Sequence, residues 1–200
     1  QVLVRLLSSP IVVPSRIFLF QDGDDEKVKA VIDKFLDEYS IRYFRISDLH
    51  PPFERFLYLK HCLWNTFWKM SAHMFSVEKV ASFVVLEDDL LPSKDFLEYF
   101  RRIEFLMEVD HTVLCASAWN DNGFLPFVQD EGKLLRGNHF MALGWLFHRA
   151  LYRKVVRCAS CWRAEETMEN APNQAWDNPI AAYLRMVMKK GETEMDEEEG

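Results

Sequence analysis

An apolar run that ends in three consecutive acids, at residues 83–89 (FVVLEDD), constrains this chain more than any other feature. A short apolar run bounded by charge predicts a buried β-strand, here at residues 83–86. Glu87, Asp88 and Asp89 follow that strand directly, and three adjacent carboxylates repel one another unless a cation is present. Oxygen ligands of this kind suit Mg²⁺ and Mn²⁺. Because ligands of open α/β sheets bind beyond the carboxyl ends of the strands, the segment predicts a divalent metal there, facing a phosphate.

The same three acids have a second interpretation, a solvated turn before a helix. Ser93 is a candidate N-cap for a helix over residues 94–107. Acids are common before a helix because the helix dipole favours negative charge at that end. Composition alone does not decide between the two interpretations. The loop at residues 90–93 favours the metal site, since it leaves the acids at the edge of the sheet.

Strand and helix patterns alternate along the chain, which predicts an α/β fold with a mostly parallel sheet and helices on both faces. The predicted strands are residues 16–20, 41–46, 81–86 and 112–118. The predicted helices are residues 25–39 with Asp24 as N-cap, 53–75, 94–107, 149–156 and one from about residue 178. The apolar stripe of the first of these helices would be Val28, Val31, Ile32, Phe35 and Leu36.

The 200 residues are enough for one α/β domain, predicted at residues 1–190. Residues 191–200 are rich in acids and bury nothing, so we expect a disordered acidic tail. The net charge of −7 argues against a nucleic-acid partner. Because the chain starts at Gln1, we expect it to be a fragment that lacks segments at its ends.

The four cysteines include one C-x-x-C pair, Cys158 and Cys161, beside Cys62 and Cys115. A zinc site would need two more ligands at a suitable spacing, and none is evident in the sequence. Buried thiols or a disulfide are therefore favoured over zinc or redox chemistry, and the pairing of the four stays open.

Two further polar segments are candidate binding sites. One follows a predicted strand, and the other precedes an apolar segment. Residues 117–123 (SAWNDNG) predict either a tight turn with one packed aromatic ring or amides that bind sugar or phosphate oxygens. Residues 138–145 (NHFMALGW) place Gly144 before Trp145, and glycine permits close approach of the backbone to a ligand. Core packing of Trp145 is the favoured alternative when this segment is taken alone.

The pair Trp176-Asp177 is the fourth candidate. An acid beside an indole, in a partly desolvated site, has a raised pKa and can act as a general base. Asp177 can equally cap the last helix, since Asn178 and Pro179 follow it, and the two roles are compatible.

These four segments, in this order, resemble glycosyltransferase family 13. The acid motif matches with its flanks over residues 84–100 (VVLEDDLLPSKDFLEYF), and residues 115–123 (CASAWNDNG) are the most specific match. The Leu-Gly-Trp and Trp-Asp segments follow at family-like positions, and residues 21–23 (QDG) look like the family's strand-end turn near the nucleotide base. The similarity extends over roughly residues 5–185.

The resemblance implies a GT-A (Rossmann-like) glycosyltransferase fold, truncated at both ends, with UDP-GlcNAc as donor and Mn²⁺ as metal. Carried over by position, Asp89 would be the direct metal ligand. Glu87 and Asp88 would orient the donor sugar and ribose, and Asp22 would contact the uracil.

The reaction implied is inverting transfer of N-acetylglucosamine, in β-1,2 linkage, to a terminal α-mannose of a glycoprotein N-glycan. Asp177 would be the catalytic base, with Trp176 and Trp145 shaping the sugar site. Transfer to protein O-mannose is the near alternative. A lectin-like relative without turnover and a metal-dependent nucleotidyltransferase are the alternatives from other classes.

The resemblance also implies a Golgi membrane protein whose catalytic domain is lumenal, with a membrane anchor in a missing N-terminal part. The family's first strand would precede Gln1, and its mobile loop over the donor would follow the similar region. Whether the chain alone is active therefore stays open.

Overall fold

A computed structural model of the chain describes residues 1–49, 62–124, 126–137, 140–158, 160–161 and 180–187. The chain divides into two compact units. The first unit is Gln1–Ala81 with Asp88–Arg101, and the second is Ser82–Glu87 with Arg102–Gly200. The expected acidic tail at residues 191–200 lies outside the described residues, and the single domain over residues 1–190 stays a prediction.

Helices and strands alternate in the described residues, so the predicted α/β class is confirmed. The helices are α1 (Val2–Leu7), α2 (Glu26–Glu38), α3 (Cys62–Ala72), α4 (Phe96–Val109) and α5 (Arg149–Arg157). A π-helical turn, His73–Val77, continues α3, and residues 180–187 are also helical. The strands are β1 (Phe18–Gln21), β2 (Arg42–Arg45), β3 (Ser82–Val85), β4 (Ala116–Ser117) and β5 (Trp145–His148). No helix in these ranges combines the length and the apolar character needed to cross a membrane.

The first unit contains a parallel β1–α2–β2 arrangement, as the alternating pattern predicts. Strands β1 and β2 pair with Phe18 opposite Arg42 and Gln21 opposite Arg45. Helix α2 begins one residue later than expected, because Asp25 rather than Asp24 is its N-cap. The Asp25 side chain accepts hydrogen bonds from the backbone N–H groups of Lys27 at 2.7 Å and Val28 at 3.3 Å.

Only part of the expected apolar stripe of α2 is covered. Ile32, Phe35 and Leu36 are half-buried, whereas Val28 and Val31 are exposed. Helix α2 has 13 residues, whereas β1 and β2 have four each, so the helix is longer than the strand pair. The strand pair therefore cannot cover the whole apolar stripe.

The second unit contains a three-stranded sheet in the order β3-β5-β4, and both pairings are antiparallel. The expectation of a mostly parallel sheet is therefore wrong for this unit. Strands β3 and β4 do run in the same direction with α4 in the connection between them, as the alternation predicts. Strand β5 occupies the position between them and runs the other way. The prediction of a parallel sheet was wrong because the spacing of apolar residues within a segment does not indicate which distant strand pairs with it.

The core of the second unit forms where α5 packs beside β5. Trp145 and Phe147 of β5 and Val155 of α5 are completely buried, and Leu151 is 1% exposed. Burial of side chains of this size contributes roughly 1.5–3 kcal/mol each relative to full exposure. His148 ends β5 and caps α5, since its Nδ1 accepts the backbone N–H of Ala150 at 3.1 Å.

Candidate active site

The three acids lie just beyond the carboxyl end of β3, as the sequence predicts. The strand ends at Val85, Glu87 is half-buried, and Asp88 and Asp89 are exposed in the turn that follows. Among the described residues, neither Asp88 nor Asp89 makes a side-chain hydrogen bond or ion pair. Their carboxylate oxygens are therefore open to a ligand.

The donor set at this turn fits a metal that arrives with phosphates better than a metal held by the protein alone. No group of three or more His, Cys, Asp or Glu side chains converges as a metal cage within the described ranges. Small divalent cations in phosphate-handling sites are usually held by one or two carboxylates together with the phosphate oxygens. An exposed carboxylate at Asp89 suits that arrangement, in which a diphosphate supplies further ligands.

Asp22 lies in the turn that joins β1 to α2. Gly23, the next residue, has a φ of 70°, a left-handed backbone conformation that glycine adopts without strain. The Asp22 side chain is exposed and, among the described residues, has no hydrogen-bond or ion-pair partner. Its neighbour Gln21 is 5% exposed, and its side-chain amide is bonded at both ends. The resemblance includes Gln21 in the QDG turn but implies no separate role for it, since a lone glutamine at a strand end carries no distinctive signal.

The turn at residues 120–123 is closed by its own polar groups. The Asn120 carbonyl accepts the backbone N–H of Gly123 at 2.8 Å, and Asn120 Oδ1 accepts the N–H of Asn122 at 3.0 Å. Trp119 is 42% exposed, and its Nε1 donates to Asp121 Oδ1 at 2.8 Å. The predicted tight turn is therefore confirmed, whereas the expected packing of its aromatic ring is wrong. Binding of sugar or phosphate oxygens by its amides stays a prediction.

Replacing Gly123 with alanine is expected to destabilise the second unit by more than about 1 kcal/mol. A Cβ at this position would lie 2.9 Å from the backbone oxygen of Asn120, so the turn would have to open. Gly132→Ala is the matched control, because its Cβ would lie 3.4 Å from the end of the Asp130 side chain. Urea denaturation measures the free energy of unfolding of both variants. Equal values for Gly123→Ala and Gly132→Ala would contradict the prediction.

Trp145 is part of the core. Its side chain has no exposed surface, and its ring centroid lies 4.8 Å from those of both Phe140 and Phe147. Gly144, with a φ of 59°, leads the chain into β5, and its carbonyl accepts the N–H of Ala118 at 2.8 Å. This is the arrangement expected from the core-packing alternative. A contact between Trp145 and the donor sugar stays a prediction.

Truncating Trp145 to alanine is expected to cost about 3–5 kcal/mol of stability, because it leaves a large cavity in a closed core. Trp119→Ala makes the same chemical change at an exposed site and should cost far less, within about 0.5 kcal/mol. Urea denaturation measures both. A Trp145→Ala cost no larger than that of Trp119→Ala would show that Trp145 is not a core residue.

The proposed base Asp177 and its neighbour Trp176 lie outside the described residues. Ile180, the first described residue after them, is helical and completely buried.

The C-x-x-C pair forms a disulfide between Cys158 and Cys161, with a Cα–Cα distance of 5.3 Å. The disulfide is one of the two alternatives that the sequence favoured for this pair. Cys115 is a free thiol, and burial raises its pKa to about 11. It therefore stays protonated, and weakly nucleophilic, at neutral pH.

Comparison with known sequences agrees with the resemblance. The chain matches the GNT-I family over residues 5–162. It is 32% identical, over 160 residues, to the α-1,3-mannosyl-glycoprotein 2-β-N-acetylglucosaminyltransferase of Arabidopsis thaliana. That alignment covers 76% of this chain and 34% of the relative, so the chain spans about a third of the relative's length. With most of its residues matched, including the acid motif after β3, the chain belongs to the GNT-I family.

Proposed function

We propose that this chain is catalytic-domain sequence of a metal-dependent, inverting N-acetylglucosaminyltransferase. It would transfer the sugar from UDP-GlcNAc, in β-1,2 linkage, to a terminal α-mannose of a glycoprotein N-glycan. The observation that carries the proposal is the family match together with the open carboxylates of Asp88 and Asp89 beyond β3. The name of the Arabidopsis relative, which specifies an α-1,3-mannosyl glycoprotein, favours the N-glycan acceptor over protein O-mannose.

The parallel β1–α2–β2 arrangement supports a GT-A fold for the whole domain. Its strand-end turn offers Asp22 to the nucleotide base, and ligands bind at such strand ends in α/β folds. Glu87 and Asp88 orient the donor sugar and ribose. Asp89 would hold Mn²⁺, and the bound ion would neutralise charge on the UDP diphosphate that leaves.

The transfer itself is a single displacement at the anomeric carbon. The acceptor hydroxyl attacks as Asp177 takes its proton, and the bond between the sugar and the UDP oxygen breaks. The hydroxyl oxygen becomes the new glycosidic oxygen, and the electron pair of the broken bond leaves with UDP. No covalent bond to the protein forms, so no nucleophilic side chain is required.

We propose that the protein acts in the Golgi lumen. The disulfide between Cys158 and Cys161 supports this placement, since disulfides persist mainly in oxidising compartments. A glycoprotein acceptor, as in the name of the relative, agrees with it.

Isothermal titration of the chain with UDP-GlcNAc, with and without Mn²⁺, tests the donor part of the proposal. We expect saturable binding with Mn²⁺ that is lost on chelation with EDTA. Incubation with a mannose-terminated N-glycan then tests transfer, with the linkage of the product determined by NMR. Binding of UDP-GlcNAc without transfer would favour a lectin-like module over an enzyme. No binding of UDP-GlcNAc under either condition would contradict the proposal.

A further inference from the structure

The turn between β1 and α2 is held by a buried amide. Gln21, the last residue of β1, is 5% exposed. Its Nε2 donates to the backbone carbonyl of Asp25 at 3.0 Å, and its Oε1 accepts the hydroxyl of Tyr43 at 2.8 Å. Asp25 is the N-cap of α2, and Tyr43 lies on β2. One side chain therefore ties the start of the helix to both strands.

Arg45 makes the second tie to the same turn. It lies opposite Gln21 in the strand pairing, and its Nε donates to the Tyr43 hydroxyl at 3.3 Å. Its Nη2 donates to Glu26 Oε1 at 3.1 Å, and its Nη1 lies 3.5 Å from Asp24 Oδ1. Arg45 therefore contacts the acids on both sides of the N-cap residue, Asp24 and Glu26.

Hydrogen-bonding capacity fixes the direction of this network. Arginine can only donate, so the Tyr43 hydroxyl accepts from Arg45, and its single proton is directed to Gln21 Oε1. The Gln21 amide is then oriented with its NH₂ group toward the Asp25 carbonyl. Each hydrogen bond in this network has only one possible donor. The positions of its side chains are therefore better defined than those of residues in exposed ion pairs.

Asp22 is the exception within this turn. Its carboxylate is exposed and has no partner among the described residues, whereas Gln21 is hydrogen-bonded and Asp24 lies in an ion pair. Gly23 provides the left-handed backbone conformation, and a Cβ there would meet no atom within 4 Å. The turn is thus held at its ends and leaves one carboxylate available.

We propose that Gln21, Tyr43 and Arg45 are positioning residues that preset the Asp22 carboxylate for the uracil ring of the donor. The inference rests on the proposed function, because it takes the ligand of Asp22 to be uracil. The uracil N3–H donates a hydrogen bond, which a carboxylate accepts. Cytosine has a lone pair at N3 and would be repelled by the same group. A preset Asp22 therefore selects uridine over cytidine nucleotides.

The size of the effect follows from the ordering of the turn. Fixing the backbone of one residue has an entropic cost that corresponds to roughly a tenfold change in an equilibrium constant. If the network already orders the turn in the free protein, this entropic cost does not weaken UDP binding. When the network is broken, the turn becomes ordered only on binding, and the cost then lowers the affinity for UDP. We expect about tenfold weaker UDP binding in a variant that breaks the network, and a smaller ratio of UDP to CDP affinity.

The test is isothermal titration of the 200-residue chain with UDP and with CDP, both with Mn²⁺. Tyr43→Phe removes one hydroxyl from the network and keeps the ring, and Gln21→Met removes the amide at similar volume. Tyr39→Phe is the matched control, since Tyr39 follows the other end of α2 and lies outside the network. We expect unchanged UDP and CDP affinities in the control, with urea midpoints near wild type in all three variants.

A double-mutant cycle separates positioning from general support of the fold. In an Asp22→Ala background, Tyr43→Phe should have no further effect on UDP affinity, because there is no carboxylate left to position. Additive losses, an unchanged UDP to CDP ratio, or loss of folding in Tyr43→Phe would each overturn the inference. A wild-type chain that does not bind UDP would overturn the proposed function and this inference with it. Normal wild-type binding with unaffected variants would overturn the inference alone.

Discussion

Replacing Asp89 with alanine is expected to remove the Mn²⁺-dependent part of UDP binding. The exposed Asp89 carboxylate is the proposed direct ligand, and no cage of three or more ligands is present in the described ranges to compensate for its loss. Changes to residues that only support a metal ligand already cost roughly 10–100-fold in affinity, so loss of the ligand should cost at least about 100-fold. Titration of UDP at several Mn²⁺ concentrations measures the change.

Asp37→Ala provides the matched control for this variant. Asp37 is an exposed acid of α2, in the same unit as Asp89, so its removal changes the charge of that unit equally. A long-range charge effect would weaken both variants alike, whereas loss of a ligand affects Asp89→Ala alone. If Asp89→Ala binds UDP with unaltered Mn²⁺ dependence, the solvated-turn interpretation of the three acids is correct.

Changing Asp177 to asparagine is expected to leave UDP-GlcNAc binding intact and to lower the rate of transfer by about 10²–10⁴-fold. Asparagine has nearly the shape of aspartate, but it cannot take a proton from the acceptor hydroxyl. The change therefore removes the base and little else. The two quantities to compare are the dissociation constant of the donor and the kcat for transfer to a mannose-terminated glycan.

The pH dependence of transfer separates a base from a structural cap at the same residue. A general base gives an acid limb in the pH–rate profile, which should disappear in Asp177→Asn. Asparagine caps a helix as well as aspartate does, so a role as cap alone would leave both the free energy of unfolding and the rate of transfer near those of the wild type. Equal losses of donor binding and transfer would count against the role of Asp177 as base.

Several elements could be predicted from local sequence because their signals are local. Helix α4 and helix α5 follow from apolar spacing, and the acids after β3 follow from an abrupt change from apolar to charged residues. The disulfide between Cys158 and Cys161 was one of two favoured outcomes for a C-x-x-C pair with no further zinc ligands. Each of these depends on residues close together in the chain.

Two boundaries differ from those that the sequence predicts. The N-cap of α2 is Asp25 rather than Asp24, since the Asp25 side chain accepts the backbone N–H groups of Lys27 and Val28. The segment at residues 112–118 pairs with β5 only over Ala116–Ser117. Neither result is encoded in the spacing of nearby residues.

The sequence by itself determined the family, the strand that ends in Glu87, Asp88 and Asp89, and the alternation of helices with strands. All three depend on short motifs and their order along the chain. Only the tertiary structure decided that β5 lies antiparallel between β3 and β4, and that Asp22 has no partner among the described residues while Gln21 and Asp24 have one. Those outcomes depend on which side chains meet across long separations, and hydrogen-bonding and burial select among partners that local sequence does not distinguish.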